Sequence, residues 1–326
     1  MRDDAGGNRA SAGPADESTL KILGPRGKAG FVVVQTRDRL EPKDVDSLAA
    51  RVRRGGQVPV IIATPFLSAR TRERLKASGI GYADLTGNIR LIIPEPGVFI
   101  ETSGAAQNPF ATSRERKSLR GAKAGRLIRA LCDIRPPMGV RQLAKEAGID
   151  AGYASRLIDF LDREALITRE KRGAVIRSDW AALIRRWSQA YSPFEKARVT
   201  WYLAARGMAQ VLERLKNLST RYAVSGSWAA AQLAPVSPTR LILCYGDDPE
   251  ALARALDVRV AEAGANVALA APFDPVVYER TSQKDGIIIT AASQIGADLL
   301  SSPGRGPIEA EALMNWMQDN ENAWRR

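Results

Sequence analysis

The chain has 326 residues, 45% of them hydrophobic, and its 48 basic and 36 acidic side chains give a net charge of +12. This length accommodates about two or three domains of ~100–150 residues, each with its own core. Histidine is absent, which excludes Ser-His-Asp and Cys-His catalytic centres and imidazole metal ligands.

Residues 1–27 are mostly polar and predict a disordered leader. They lack the apolar core of a signal peptide, and the chain has no run of 18 apolar residues. We therefore expect a cytoplasmic protein with no membrane partner.

Residues 28–103 predict a small α/β domain, because strand and helix patterns alternate before a meander. Ser68 is placed to cap the second helix and Gly79 to end it. The expected strands are Phe31–Val34, Val58–Ala63, Tyr82–Asp84, Ile89–Ile93 and Val98–Glu101, with helices over Pro42–Arg54 and Ser68–Ser78.

Residues 104–122 form a basic linker, interpreted either as a mobile arm or as a solvated connection. The charge of the chain is concentrated near it. Residues 111–178 hold 16 basic and 8 acidic groups, a net charge of +8, whereas residues 179–326 hold 16 of each. A local basic block is typical of a protein that binds a polyanion.

Residues 123–180 predict three helices followed by a β-hairpin. Gly148 is suited to the turn between the second and third helices, and Asp150 to capping the third. The apolar positions at helical spacing are Leu127, Ile128 and Leu131, then Val140, Leu143 and Ala144, then Ala154, Leu157, Ile158 and Leu161; the strands are Leu166-Ile167 and Ala174–Ile176. This order is that of a winged helix-turn-helix.

The segment VRQLAKEAGIDAGYASRLIDFLDREALITREKRGAVI resembles the winged-helix domains of MarR- and IclR-like regulators. In such a domain the third helix enters the major groove of DNA. Arg156 is suited to guanine, Tyr153 and Ser155 to phosphate or base, and Arg141 to phosphate. We expect Arg169, Lys171 and Arg172 on the wing to enter the minor groove or bind the backbone. Helix-turn-helix shapes also serve as protein–protein modules.

Residues 181–326 predict a second α/β domain. A helix-rich connection containing Trp187, Tyr191 and Phe194 leads to a long helix over 197–218. The expected later elements are strands at 221–224, 240–245, 266–270 and 286–290, with helices at 227–233, 249–262 and 308–320.

The stretches YAVSGSWAAAQLAP, VALAAPFDPVVYER and ASQIGADLLSSPGRGPIEAEAL, with GIGYADLTGNIRL near the N-terminus, resemble AbiEi-type antitoxins and related regulators. This resemblance implies a DNA-binding repressor, in some members the antitoxin of a type IV toxin–antitoxin pair. The familiar antitoxin begins with its winged helix, whereas here about 110 residues precede it.

Three further features invite a chemical interpretation. Asp84 at a strand end is either a Mg²⁺ ligand of a nuclease or a turn residue, and no E-x-K follows it. Ser225-Gly226-Ser227 resembles the phosphate contact of nucleotidyltransferases, but no D-x-D follows, and Ser227 is alternatively a helix cap. Gly304-Arg305-Gly306 either holds an anion or precedes a helix. Cys132 and Cys244 lie in apolar contexts and predict buried thiols.

The sequence thus predicts a multi-domain α/β protein that binds double-stranded DNA sequence-specifically and regulates transcription, acting as a homodimer. No catalytic residue, cofactor or metal is assigned. The alternatives are the antitoxin of a type IV-like pair, whose C-terminal domain contacts a toxin, and a metal-dependent nuclease or degenerate nucleotidyltransferase.

Overall fold

The computed structural model of the chain describes residues 16–24, 28–56, 58–110, 119–170, 173–196 and 199–326. The fold is mixed α/β, with 41% helix and 24% strand. The described residues divide into two compact units, one holding those up to 110 with 162–165, the other holding 119–161 and 166–326. The sequence predicted three parts instead, because it cannot show that the middle and C-terminal segments share one core.

The first unit has a sheet whose six described strands follow chain order. The second, third and fourth strands are parallel and are joined by two helices, while the outer pairings are antiparallel. The elements are β1 (Asp16–Leu23), β2 (Ala29–Thr36), α1 (Val45–Arg54), β3 (Val60–Thr64), α2 (Ala69–Ala77), β4 (Gly81–Asp84), β5 (Ile89–Ile93) and β6 (Val98–Thr102).

The helices of this unit form where the apolar pattern predicted them. Leu48 and Ala49 of α1 and Leu75 of α2 are buried with Ile62 of β3 in one cluster. Ser68 caps α2 by accepting a hydrogen bond from the Thr71 amide, with an N–O distance of 3.1 Å. Helical and strand periodicity therefore determined this part of the fold.

Strand β1 contradicts the prediction that all of residues 1–27 form a disordered leader. Its eight residues pair with β2 from Asp16–Thr36 to Leu23–Ala29. Nearly all of them are exposed, so the strand is held by backbone hydrogen bonds and carries little of the apolar signal that marks a buried strand. Residues 1–15 lie outside the described part of the chain.

The second unit begins with three helices and a two-stranded hairpin, in the predicted order. Met138 extends the hairpin through a bridge to Val175, with N–O distances of 2.9 and 2.8 Å. The elements are α3 (Ala122–Asp133), α4 (Val140–Glu146), α5 (Ala151–Arg163), β7 (Ile167–Arg169) and β8 (Val175–Ser178).

A mixed sheet forms the rest of this unit, with the strand order β12-β9-β13-β11-β10-β15-β14 among the described residues. Its elements are α6 (Trp180–Ser188), α7 (Pro193–Lys196), β9 (Val199–Leu203), α8 (Met208–Lys216), β10 (Tyr222–Ser225), α9 (Gly226–Ala231), β11 (Ile242–Gly246), α10 (Pro249–Leu256), β12 (Arg259–Val260), β13 (Val267–Ala270), β14 (Ser282–Lys284), β15 (Ile287–Ile289), α11 (Ala292–Leu300), α12 (Gly306–Asp319) and α13 (Glu321–Trp324).

The long helix predicted over 197–218 is wrong, because strand β9 occupies 199–203. Val199, Thr200, Trp201 and Tyr202 are β-branched or aromatic residues that favour strands, and β9 pairs with both β12 and β13. The strand conformation of residues 199–203 therefore depends on pairing with β12 and β13, which lie later in the chain.

Two smaller expectations about this unit also fail. The helix expected at 249–262 ends at Leu256, since Asp257 has a φ of 56°. Ser227 lies inside α9, whose N-cap is Ser225, so Ser227 is not the cap.

Helix α3 is buried between α4 and α5 on one side and the large sheet's helices on the other. Its Arg129 is fully buried. The guanidinium pairs with Asp133 (Nε–Oδ2 3.1 Å) and donates to Gln294 Oε1 (2.8 Å). It also donates to the backbone carbonyls of Val276 and Glu279. A buried charge is tolerated when it is paired and hydrogen-bonded in this way.

Asp133 is the centre of this ion group. Besides Arg129, its carboxylate accepts from Arg280 Nε at 2.7 Å and from the Ser293 hydroxyl. The three partners come from α3, from the loop before β14 and from α11. The group therefore fixes α3 against distant segments of the chain.

A second buried group surrounds Asp298 of α11. Its carboxylate accepts from Ser225 Oγ (2.5 Å), Gln294 Nε2 (2.9 Å) and Tyr191 OH (3.0 Å). Burial raises the pKa of Asp298 to about 6, although these donors act in the opposite direction.

The last residues of the chain, which follow α12, contact both the end of α3 and the hairpin. Arg325 is buried and donates to the Ile134 carbonyl (3.1 Å) and to Ser178 Oγ (2.9 Å). Trp324 packs edge-to-face on Trp180, with ring centroids 5.1 Å apart. The end of the chain thus belongs to the same core as α3.

No helix within the described residues is long and apolar enough to cross a membrane.

We expect Arg129→Ala to lower the free energy of unfolding by about 3–5 kcal/mol, because it leaves buried acceptors without their donor. Urea denaturation at pH 7 measures this. The matched control is Arg254→Ala, which removes an exposed arginine from α10 and should change stability by no more than about 0.5 kcal/mol. Equal effects of the two substitutions would contradict the account.

The raised pKa of Asp298 predicts a pH dependence of stability. Between about pH 4 and pH 6 the folded state binds a proton that the unfolded state has released, so the free energy of unfolding falls as pH rises through this window. Relative to Asp298→Asn, the wild type should lose about 2 kcal/mol from pH 4 to pH 7. The comparison with Asp298→Asn cancels the titration of the other carboxyl groups, and the chain has no histidine that would titrate near pH 6. A difference between the two proteins that stays constant with pH would refute the prediction.

Candidate nucleic-acid interface

The turn between α4 and α5 has the geometry that the sequence predicted. Gly148 has a φ of 58°, a left-handed conformation that glycine adopts without the cost of a side chain. Asp150 caps α5, since its Oδ1 accepts from the Tyr153 amide at 2.7 Å. The first turn of α5 begins in a defined direction as a result.

Helix α5 buries one face and leaves the other open. Ala154, Leu157 and Ile158 pack in the core, as their spacing predicted. Arg156 is exposed. Its Nη1 lies 3.5 Å from the position that a Cβ on Gly152 would occupy, so the guanidinium reaches back to the first turn of the helix.

Helix α4 presents two cations on one side. Arg141 and Lys145 are four residues apart, are both exposed, and form no ion pair with any described residue. The same holds for Arg156 on α5 and Arg177 on β8. Charges without a protein counterion are available to an anionic partner.

Tyr153 and Ser155 are half-buried on α5. The Lys123 Nζ lies 5.8 Å from the centre of the Tyr153 ring, and burial raises the pKa of the tyrosine. Lys123 also pairs with Asp150 at 3.1 Å. Both predicted residues lie beside the exposed cations, though neither is fully open to solvent.

The predicted wing cations have different positions. Arg169 forms an ion pair with Asp159 of α5, and its side chain is 13% exposed. A contact between Arg169 and DNA would have to compete with that carboxylate. Lys171 and Arg172 lie outside the described residues.

Sequence reasoning missed Lys123, Lys145 and Arg177. The usable signal for Lys145 was its helical spacing from Arg141, which places it away from the buried Leu143 and Ala144. Lys123 and Arg177 carry no such signal, because Lys123 begins a helix that is buried on most sides and Arg177 has the same strand parity as the buried Val175.

The other candidate sites have structural explanations. Asp84 is buried and accepts hydrogen bonds from the backbone amides of Leu67, Thr86 and Asn88 and from the Thr86 hydroxyl. Burial by itself would raise the pKa of Asp84, but the hydrogen bonds outweigh it and hold the pKa below its usual range. In the described ranges no group of three metal-ligating side chains occurs. Cys132 and Cys244 are buried free thiols whose pKa values burial raises.

Comparison of the chain with models of protein families, with curated proteins and with solved structures finds no match in any of the three. The arrangement of the chain's own residues therefore carries the functional argument.

The capping hydrogen bond of Asp150 and the negative charge of its side chain can be tested separately. We expect Asp150→Ala to lower the free energy of unfolding by about 1 kcal/mol, because the Tyr153 amide loses its acceptor. Asp150→Asn keeps a capping oxygen and loses only the exposed pair with Lys123, so it should retain most of the stability. Thermal or urea unfolding measures both; equal losses would show that the cap is not the stabilising contact.

Proposed function

We propose that the chain is a sequence-specific double-stranded DNA-binding regulator of transcription whose winged helix-turn-helix comprises residues 123–180. The observation that carries the proposal is the exposed first turn of α5, with Arg156 reaching back to it. The preceding helix α4 bears Arg141 and Lys145, which form no ion pair with any described residue. The second helix of such a pair contacts bases with its N-terminal residues, while the preceding helix lies near the backbone.

Charge supports contact with phosphates. Residues 111–178 carry a net charge of +8, and the rest of the chain to the C-terminus is neutral. Several of these cations form ion pairs within the protein, including Arg129 with Asp133 and Arg169 with Asp159. Four exposed cations of this block lie on α4, α5 and β8 and form no ion pair with any described residue: Arg141, Lys145, Arg156 and Arg177. Five further basic residues of the block, at positions 114, 116, 117, 171 and 172, lie outside the described residues.

The proposed contacts are of two kinds, one to a base edge and two to the phosphate backbone. Arg156 reads a base edge, with guanine as the natural partner of a bidentate guanidinium. Arg141 and Lys145 bind the phosphate backbone and set the position of α5 in the groove. Regulators of this class act as homodimers on paired half-sites about 10 base pairs apart, and we propose the same for this chain.

The first test is selection of binding sites from random duplex DNA by the full chain, at a series of salt concentrations. We expect one motif to be enriched, arranged as an inverted repeat if the protein is a homodimer. Enrichment of no motif, with equal affinity for unrelated DNA, would refute sequence-specific binding.

The second arm compares variants on the selected site and on unrelated DNA. Arg156→Ala should cost about 1–3 kcal/mol on the selected site and little on unrelated DNA, because a base contact is lost. Arg141→Ala combined with Lys145→Ala should weaken both about equally and reduce the slope of log K against log salt by about 2.

Arg254→Ala on α10 is the matched control and should leave all affinities unchanged. The assignment of roles fails if Arg156→Ala weakens both DNAs equally, or if the double variant leaves the salt dependence as it is in the wild type.

A further inference from the structure

Strand β1 forms one edge of the first unit's sheet and is long and regular. Its eight residues pair with β2 in one unbroken register, and no other described strand pairs with it. All of them are exposed except Ile22, which is half-buried. Proteins protect such an edge with bulges, proline or repelling charge, because an open edge pairs with other strands. Strand β1 has neither bulge nor proline, and its charges are of both signs.

The backbone groups of alternate residues of β1 point towards its open edge. The Gly24 amide donates to the Lys28 carbonyl at 2.8 Å, one position beyond the last pair of the ladder. Hydrogen-bonded and non-hydrogen-bonded pairs alternate along an antiparallel ladder, so the even-numbered residues of β1 bond to β2 and the odd-numbered residues face the edge. The edge-facing residues are Glu17, Thr19, Lys21 and Leu23. Their N–H and C=O groups are positioned to bond to a further strand.

The charges of β1 are complementary to those of a second, antiparallel copy of β1. A two-fold axis at Thr19 places Glu17 of each copy directly opposite Lys21 of the other, and the backbone groups of both residues face the edge. Opposite charges at such positions stabilise an antiparallel pair. Lys21 forms no ion pair with any described residue. Glu17 Oε2 accepts from Gln35 Nε2 at 3.1 Å, which leaves Oε1 for the lysine.

The same register covers an exposed apolar side chain of β1. Leu20 is 51% exposed and pairs with Val32 on the sheet face away from α1 and α2. Across the two-fold axis, the two copies of Leu20 are diagonal neighbours, a position from which long side chains make contact. A shift of one copy by two residues pairs neither Glu17 nor Lys21 with an opposite charge. Charge therefore selects the register with Thr19 on the axis.

We propose that two copies of this chain associate through antiparallel pairing of their β1 strands, with two Glu17–Lys21 ion pairs across the two-fold axis. The interface is isologous, since the same surface of each copy meets itself. The sheets of the two copies continue into each other through it. This inference names the interface of the homodimer and rests on that part of the proposed function, but it does not require DNA.

The test is sedimentation equilibrium of the full chain in the absence of DNA. The wild type should be largely dimeric at about 100 µM. Glu17→Lys and Lys21→Glu should each weaken self-association at least about tenfold, because each variant places like charges opposite one another twice. An equimolar mixture of the two variants should regain the wild-type affinity, since their heterodimer has opposite charges at both positions.

Thr19→Pro tests the backbone pairing separately from the charges. It should abolish the dimer and preserve β1, because the Thr19 N–H faces the open edge, where proline is tolerated. Thr19→Val keeps this N–H and is the matched control, which should dimerise as the wild type does. The melting temperature of each variant verifies that it is folded.

The proposal is overturned if the wild type is monomeric at about 100 µM, or if the mixture of charge variants associates no better than its components. A dimer that survives both Thr19→Pro and the charge reversals would also overturn it, since the interface would then lie elsewhere. Failure of DNA binding would leave all of these results unchanged, so the two proposals are tested independently.

Discussion

The buried ion group of Arg129, Asp133 and Arg280 is the constraint on which the second unit depends. Charges removed from water must be paired and hydrogen-bonded, or folding loses several kcal/mol. Asp133 is paired with Arg129 on the same helix and with Arg280 and Ser293 from other segments, so the group is complete only when α3, α11 and the loop before β14 are all in place. The helical segment and the large sheet therefore fold as one unit.

This constraint has a consequence for the candidate interface. Helix α3 is the support for α4 and α5, and its other side is held by the sheet's helices and by the last residues of the chain. Arg325 bonds both to the end of α3 and to Ser178 of the hairpin. The exposed turn of α5 is thereby connected through α3 to contacts with distant segments of the second unit.

The sequence by itself determined the local structure: α1 to α5, β2 to β6 and the hairpin follow from periodicity, and Gly148 and Asp150 from turn and capping chemistry. These signals depend on residues close in the chain, two positions apart in strands and three or four in helices. The tertiary structure alone decided β1, whose mostly exposed residues carry little apolar signal, and β9, whose partners β12 and β13 lie far along the chain. It also decided the ion pair of Arg169 with Asp159, and that α3 belongs to the sheet's core. Contacts between distant segments have no local pattern, so only the folded chain reveals them.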